Sequence, residues 1–386
     1  MTTEFQPDVL RWARQRARLS VAALAKKMGV EETKVMEWET RGIISFKQLE
    51  KLAQKTHTPI GYLFLPTPPI EKLPISDFRT LQSEELRQPS PELLDVIHQT
   101  QRQQSWYREY LIAQDAEPLP FIGKTSMKTK ITQLAVEIRQ TIGFTIAQSK
   151  EATDWEDALR KMIRAVEIAG ILVMKIGYAG ISTKRGLDVQ EFRGFALVDD
   201  YAPLVFINGK DAPPAQMFTL AHELVHLWLG QSGVSTLENM FVPEGAKEIE
   251  IYCNQVAAEF LVPLADLKRE YNSKVDALSQ VKTLARIYRV SSVVMARRLK
   301  DAGYLNWETY REFYQKELAA ARAKLLKSKG GDPYATLRSK NSNRFSRALI
   351  SHTLEGKTSY SDAFSLLGVK TTKAFKQFAS DLQLSP

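Results

Sequence analysis

The sequence predicts a mostly α-helical chain of more than one domain with a single small β-sheet, an α+β fold. Three observations lead there. Apolar residues recur at helical spacing from residue 7 to near the carboxyl end. Only 171–176, 192–198 and 204–208 read as strands, and they cluster just ahead of the most strongly helical stretch. Finally, 386 residues with 44% hydrophobic content exceed what one ordinary core requires.

Residues 7–65 read as five short helices. Leu10, Ala13, Ala17 and Leu19 mark the first, and Ser20 caps a second over Val21 to Met28. Gly29 makes the turn, Glu31 to Glu39 form the third, Ser45 starts a fourth through Lys55, and Pro59 opens a short fifth. The pattern Leu24-Ala25, Gly29-Val30, Val35, Trp38-Glu39, Gly42, Leu49 and Leu52-Ala53 resembles the Xre/Cro family of helix-turn-helix domains. That resemblance implies a third helix lying in the DNA major groove. Here its first turn carries Glu31 and Glu32, which face phosphates unfavourably, while Lys34, Arg41 and Lys47 are the expected phosphate contacts. Docking on a protein partner therefore stays open beside DNA binding for residues 1–69. Trp38 shares a helical register with Val35 and reads as core.

Prolines at Pro66, Pro68, Pro69, Pro74, Pro89 and Pro91 disfavour helix and mark the first boundary. Residues 92–115 and 128–142 read as amphipathic helices, with Trp106, Tyr107 and Tyr110 as core residues, and 154–169 as another. The three strand-like runs follow. A sheet edge beside a functional site can hold an extended peptide by main-chain hydrogen bonds.

The stretch from Asp211 to Gly230 carries the chemistry. Asp211 is placed to cap a helix, Pro213 and Pro214 suit its first turn, and Gly230 suits a left-handed stop. Inside it, His222 and His226 stand four apart, so both imidazoles share one face and reach a single Zn2+. Glu223 is turned one step from that face, as a general base beside the metal requires. A catalytic zinc takes three protein ligands and keeps one position open. Leu229 and Ser232 stand where a third-histidine pattern needs Gly and His, so a carboxylate is expected. The next helix offers Glu248, Glu250 and Glu259. Glu250 is favoured, because Asn254 projects with it as an outer hydrogen-bonding group and small Ala257 and Ala258 allow close helix packing.

Phe-Arg-Gly-Phe at 192–195, Ala202-Pro203, the His222 to His226 motif and the Glu250 to Asn254 helix ending at Pro263 together resemble the ImmA/IrrE family of intracellular metallopeptidases. The resemblance implies His222, His226 and Glu250 as zinc ligands and Glu223 as catalytic acid/base. Members characteristically cut helix-turn-helix repressors, and some carry such a domain in front. Leu73 to Arg79 resembles the segment that joins the two in fused members. The expected chemistry is peptide hydrolysis by a zinc-activated water, with Tyr252, Tyr201 or Tyr178 as an added oxyanion donor. Arg193 is a candidate substrate contact or a structural ion pair, and 231–247 reads as a loop able to gate the site.

Beyond Pro263 the chain is helical and basic. Thr283 to Val290 followed by Ser291 to Leu299 repeats the spacing of Ala23 to Val30, and Ala363 to Val369 with Thr371 to Phe378 hints at a further repeat. Residues 307–327 read as a charged helix that Gly330-Gly331-Asp-Pro333 ends. The resulting division is a helix-turn-helix domain at 1–69, a linker and helical connector at 70–150 and a gluzincin-like zinc peptidase domain at 151–263. A helix-turn-helix-like subdomain at 264–330 and a basic helical region at 331–386 complete it.

Charge is uneven along this division. Residues 1–69 hold 11 Lys+Arg against 7 Asp+Glu, 70–263 hold 19 against 26, and 264–386 hold 23 against 11. Basic ends suit nucleic acid or an acidic protein. The single Cys253 rules out an intramolecular disulfide, and no run is long and apolar enough for a signal or a span, so a cytoplasmic setting without membrane contact is expected. The expected partners are a protein substrate, either a repressor or a toxin-like chain, together with DNA through 1–69 and a second copy in a homodimer. The main alternative is an antitoxin or repressor that holds a toxin and DNA with slow or absent cleavage. A purely structural zinc is the third.

Overall fold

A computed structural model of the chain describes residues 2–79, 88–235, 247–325 and 340–384. The centre of the expected gating loop and the Gly330-Gly331-Asp-Pro333 break lie outside the described residues. The chain divides into two units, Met1–Pro74 with Leu81–His98, and Ile75–Thr80 with Gln99–Pro386.

In the first unit, helices α1 (Pro7–Arg16), α2 (Val21–Met28), α3 (Glu32–Arg41) and α4 (Phe46–Thr56) precede a 3-10 turn at Ile60–Phe64. Ser20 caps α2 by accepting from Ala23 N, and Gly29 ends it at φ 68°, a left-handed conformation that glycine adopts without strain. A reciprocal pair between Ser45 and Gln48 starts α4. The apolar positions converge on one core containing Leu10, Leu24, Val35, Trp38, Leu49 and Leu63. Two features depart from the sequence reading. α1 stops at Arg16, before Leu19, and short strands β1 (Thr2–Glu4) and β2 (Ile43–Ser45) pair antiparallel.

The second unit is built on a five-stranded sheet. Its strands are β3 (Ser76–Asp77), β4 (Leu172–Ile176), β5 (Gly194–Leu197), β6 (Leu204–Asn208) and β7 (Gly233–Ser235), in the order β3-β7-β5-β6-β4. β5 runs antiparallel to both neighbours, whereas β4–β6 and β3–β7 are parallel. Three of these strands match the predicted runs. β7 and β3 are additional, and β3 comes from the proline-flanked segment expected to be linker.

Helix α5 (Pro91–Ile112) begins in the first unit and continues into the second from Gln99, where α6 (Ile131–Ile142), α7 (Ile146–Lys150) and α8 (Trp155–Ile168) follow. The central helix is α9 (Pro213–Leu229), in which every residue from Gln216 to Trp228 is buried. A helix whose apolar residues run around its circumference demands cover on all sides. The sheet, α8 and α10 (Glu248–Leu261) supply it, and Ala257 and Ala258 of α10 are buried as close packing requires. Gly230 closes α9 at φ 68°. Asp211, however, is not the cap. Ala212 holds that position, and Asp211 binds Arg193 instead.

Downstream lie α11 (Leu264–Glu270), α12 (Ala277–Tyr288), α13 (Ser292–Asp301) and α14 (Trp307–Leu325). α12 and α13 join through Arg289 at φ 56°, and their apolar residues Leu284, Tyr288, Met295 and Leu299 enter the core that also holds α9 and α10. The chain ends in α15 (Asn343–Leu354), α16 (Tyr360–Leu367) and α17 (Thr372–Asp381). Among the described residues no helix is long and apolar enough to cross a membrane.

One buried charge near the carboxyl end affects stability. Lys340 is 6% exposed, donates from Nζ to Gly180 O at 2.9 Å and lies over the Tyr178 ring. Burial draws its pKa from 10.5 down to about 8. The folded state therefore releases this proton before the unfolded state does, and the cost is full below about pH 8 and fades toward 10.5. Across that window the unfolding free energy of the wild type should rise by up to about 3 kcal/mol relative to Lys340→Met. Urea unfolding of both proteins at the two ends of the window measures this, and parallel profiles would refute it.

Candidate metal centre

Four residues along α9 bring His222 and His226 onto one face, with their Nε2 atoms 3.1 Å apart. From α10, Glu250 places Oε1 3.0 Å from His226 Nε2 and Oε2 3.4 Å from His222 Nε2. All three side chains are fully buried. Lone pairs from two imidazoles and a carboxylate thus converge on one point. Tetrahedral ligands held at about 2.0–2.1 Å stand about 3.3 Å apart, which is the size of this triangle. His226 Nδ1 and both Glu250 oxygens complete no hydrogen bond among the described residues. Buried polar atoms left this way are costly unless a cation satisfies them. The donor set fits a divalent metal with three protein ligands and one open position.

The two imidazoles are held by different means. His222 Nδ1 lies 2.9 Å from Asn254 Oδ1, an acceptor, so Nδ1 carries the proton and Nε2 keeps its lone pair for the metal. His226 lacks such a partner and is instead stacked against Phe78, with centroids 5.2 Å apart and planes 11° apart. Phe78 is delivered by β3, and its N–H donates to Val234 O on β7. A methyl group on Gly233 would stand 2.2 Å from the Phe78 ring, so only glycine leaves room for it. Arg79, buried beside Glu191 and Asp77, anchors the segment, and Lys247 donates to Asp77 O.

Glu223 faces the strands. A methyl group on Gly194 would lie 3.2 Å from Glu223 Oε1, 2.5 Å from Thr219 Cγ2 and 2.8 Å from Phe206 O. Gly194 pairs with Ser235 across β5 and β7, so the missing side chain and the Ser235 hydroxyl share one side of the sheet. As protein groups alone, burial and then the neighbouring Glu250 raise the Glu223 pKa to about 8, against the pull of His222 and Ser235. Ser235 is near enough to exert that pull, although its hydroxyl completes no hydrogen bond among the described residues. Burial also pushes Glu250 up, but the two imidazoles outweigh it and hold its pKa to about 2. Burial beside the two carboxylates raises the Cys253 thiol, which keeps it inert.

His222, Glu223, His226, Glu250 and Asn254 are brought together as the spacing implied. Other sequence candidates engage elsewhere. Tyr252 donates to Thr129 O at 2.8 Å, the Tyr201 ring lies beneath Arg108, and the Tyr178 ring lies beneath Lys340. Arg193 takes the structural role, paired with Asp211 at 2.9 Å. Glu248 is exposed, and Glu259 pairs with buried Arg298. Phe78 and Ser235 were not singled out in the sequence. Gly194 was legible as a glycine within a strand run, a pattern that marks close approach of another group.

Comparison with known families agrees with this geometry. Residues 165–300 match a peptidase family model described as the IrrE N-terminal-like domain. Residues 341–381 match one described only as a domain of unknown function. No curated protein matches the chain. The stretch bearing the His-His-Glu triangle is thus similar to an IrrE-type, metal-dependent peptidase domain.

Two measurements check the site. Competition titration with Zn2+ should show affinity falling roughly 10–100-fold in Asn254→Ala and in Phe78→Ala, since each orients one imidazole. Unchanged affinity would remove that role. Gly194→Ala should destabilise the unit by about 1–3 kcal/mol through overpacking, read from its urea midpoint.

Proposed function

We propose that this chain is a cytoplasmic, zinc-dependent endopeptidase-type regulator that hydrolyses a peptide bond in a repressor or another protein partner. The observation that carries this reading is the buried His222–His226–Glu250 triangle with the Glu223 carboxylate beside it, which completes no hydrogen bond among the described residues. When bound, Zn2+ supplies Lewis-acid polarisation of a carbonyl and a lowered pKa for water. His222, His226 and Glu250 hold the ion, while Asn254 and Phe78 fix the ring planes. Glu223 accepts the proton of the attacking water and returns it to the leaving amine, a role worth roughly 10² to 10⁴-fold in rate. The first unit serves as the docking arm. Its α2–turn–α3 arrangement supports an Xre-type assignment, with Lys34, Arg41 and Lys47 as phosphate contacts.

A second reading is an antitoxin or repressor that holds its partner without cutting it. The full burial of His222, Glu223, His226 and Glu250 favours it, because cleavage needs a substrate carbonyl to reach side chains that are all buried among the described residues. The test is incubation of wild type and Glu223→Gln with proteins encoded beside the gene, with metal analysis of both. Cleavage by wild type alone, with about one equivalent of zinc in each protein, supports the peptidase. A stable complex with neither protein cutting supports the binder and overturns the peptidase.

A further inference from the structure

Among the described residues, three helix pairs share one local design. α2 ends at Gly29, α12 at Arg289 and α16 at Gly368, each in the left-handed conformation at φ 68°, 56° and 69°. The N–H of the next residue then reaches back, Val30 to Ala25 O, Val290 to Ala285 O and Val369 to Phe364 O. A ten-residue helix follows in every case: α3, α13 or α17. Two helices joined by a turn of three or four residues, often containing glycine, form the helix-turn-helix unit, whose second helix enters the major groove.

The three second helices differ in what they present. On α3 the outward positions are Glu31, Glu32, Thr33, Met36, Thr40 and, at its last residue, Arg41, and Lys34 is tied to Glu37 at 2.6 Å. On α13 no residue from Ser291 to Lys300 is exposed, and Arg298 is bound to Glu259. α17 is different on both counts. From 371 to 380 its exposed and buried positions follow those of 31–40 at all but one place, so Phe375 and Phe378 take the inward places of Val35 and Trp38. Its outward positions are Thr371, Thr372, Lys373, Lys376, Gln377 and Ser380, with exposed Lys370 in the preceding turn, and Gln377 Nε2 donates to Asp381 Oδ1 at 3.0 Å, which leaves its amide oxygen facing outward. Among the described residues none of the three lysines is paired with a carboxylate.

We propose that α17 is a duplex-DNA-binding helix, entering the major groove with Lys370, Lys373 and Lys376 on phosphates and Thr372 and Gln377 toward base edges. Lysines at the helix start and its outer face match the backbone charge. Hydroxyl and amide side chains are the types that pair with base edges. Residues 340–384 carry 7 Lys+Arg against 3 Asp+Glu, so the surrounding field is attractive as well. The assignment is independent of the metal centre.

Fluorescence anisotropy of the full chain on a labelled mixed-sequence duplex, titrated with salt, tests it. Replacing Lys370, Lys373 and Lys376 together by Ala should weaken binding at least about tenfold at 0.1 M salt. It should also reduce the slope of log K against log salt by about 2 to 3. Arg at all three positions should restore both, which separates lost charge from lost folding. The Lys34→Ala, Arg41→Ala, Lys47→Ala protein should lose less. The proposal is overturned if the α17 Ala variant keeps wild-type affinity and slope. It is equally overturned if wild type binds no duplex at low salt, or binds a single strand of equal length as tightly.

Discussion

The structure depends on one electrostatic constraint: two carboxylates and two imidazoles occupy one fully buried place. Buried ionisable groups are tolerated only when paired, neutralised or bound to a cation. Glu250 is compensated by the imidazoles beside it, and Glu223 is raised toward neutrality by burial. These responses require that the groups be held tightly and kept from water. α9 meets the requirement by being buried on every face, so that sheet, α8 and α10 all pack on it.

Small residues set how close the cover comes. Ala257 and Ala258 let α10 approach α9 until Glu250 meets the histidines. Gly194 lets β5 pass beside Glu223 with no side chain between, and Gly233 does the same for the Phe78 ring. The four ionisable residues come from one helix and its neighbour, but their surroundings come from three strands, one of them far earlier in the chain. A hydrogen bond steadies one imidazole and an aromatic ring steadies the other. The two supports differ chemically, since one fixes a tautomer and the other fixes only a plane.

How much of this could be read from the sequence followed the length and regularity of each signal. His222, Glu223 and His226 were legible because a four-residue step on a strong helix determines which side chains meet. Glu250 followed from the need for a third ligand and from Asn254 one turn on. β7 and β3, at three and two residues, are too short for a period to register. Prolines around β3 pointed to linker, and nothing in composition reveals that a linker residue will stack on His226. The Asp211 cap was misread because an aspartate before a helix has two uses. Here the Arg193 guanidinium outcompetes the helix amides for its carboxylate. The tyrosines illustrate the same limit, since their engagement with Thr129, Arg108 and Lys340 depends on segments distant in sequence.

The pairing of β3 with β7 also fixes when the centre becomes complete during synthesis. Ser76 and Gly233 meet across roughly 160 intervening residues, a closure whose entropic cost must be met before the contact forms. Ser76 to Phe78 leave the ribosome long before α9, and they must wait for β7 before Phe78 can reach His226. A nascent chain that has already emitted His222 and His226 therefore still lacks both Glu250 and the ring that orients its second imidazole. The His222–His226–Glu250 triangle is thereby completed late in folding, after the chain has committed to its sheet.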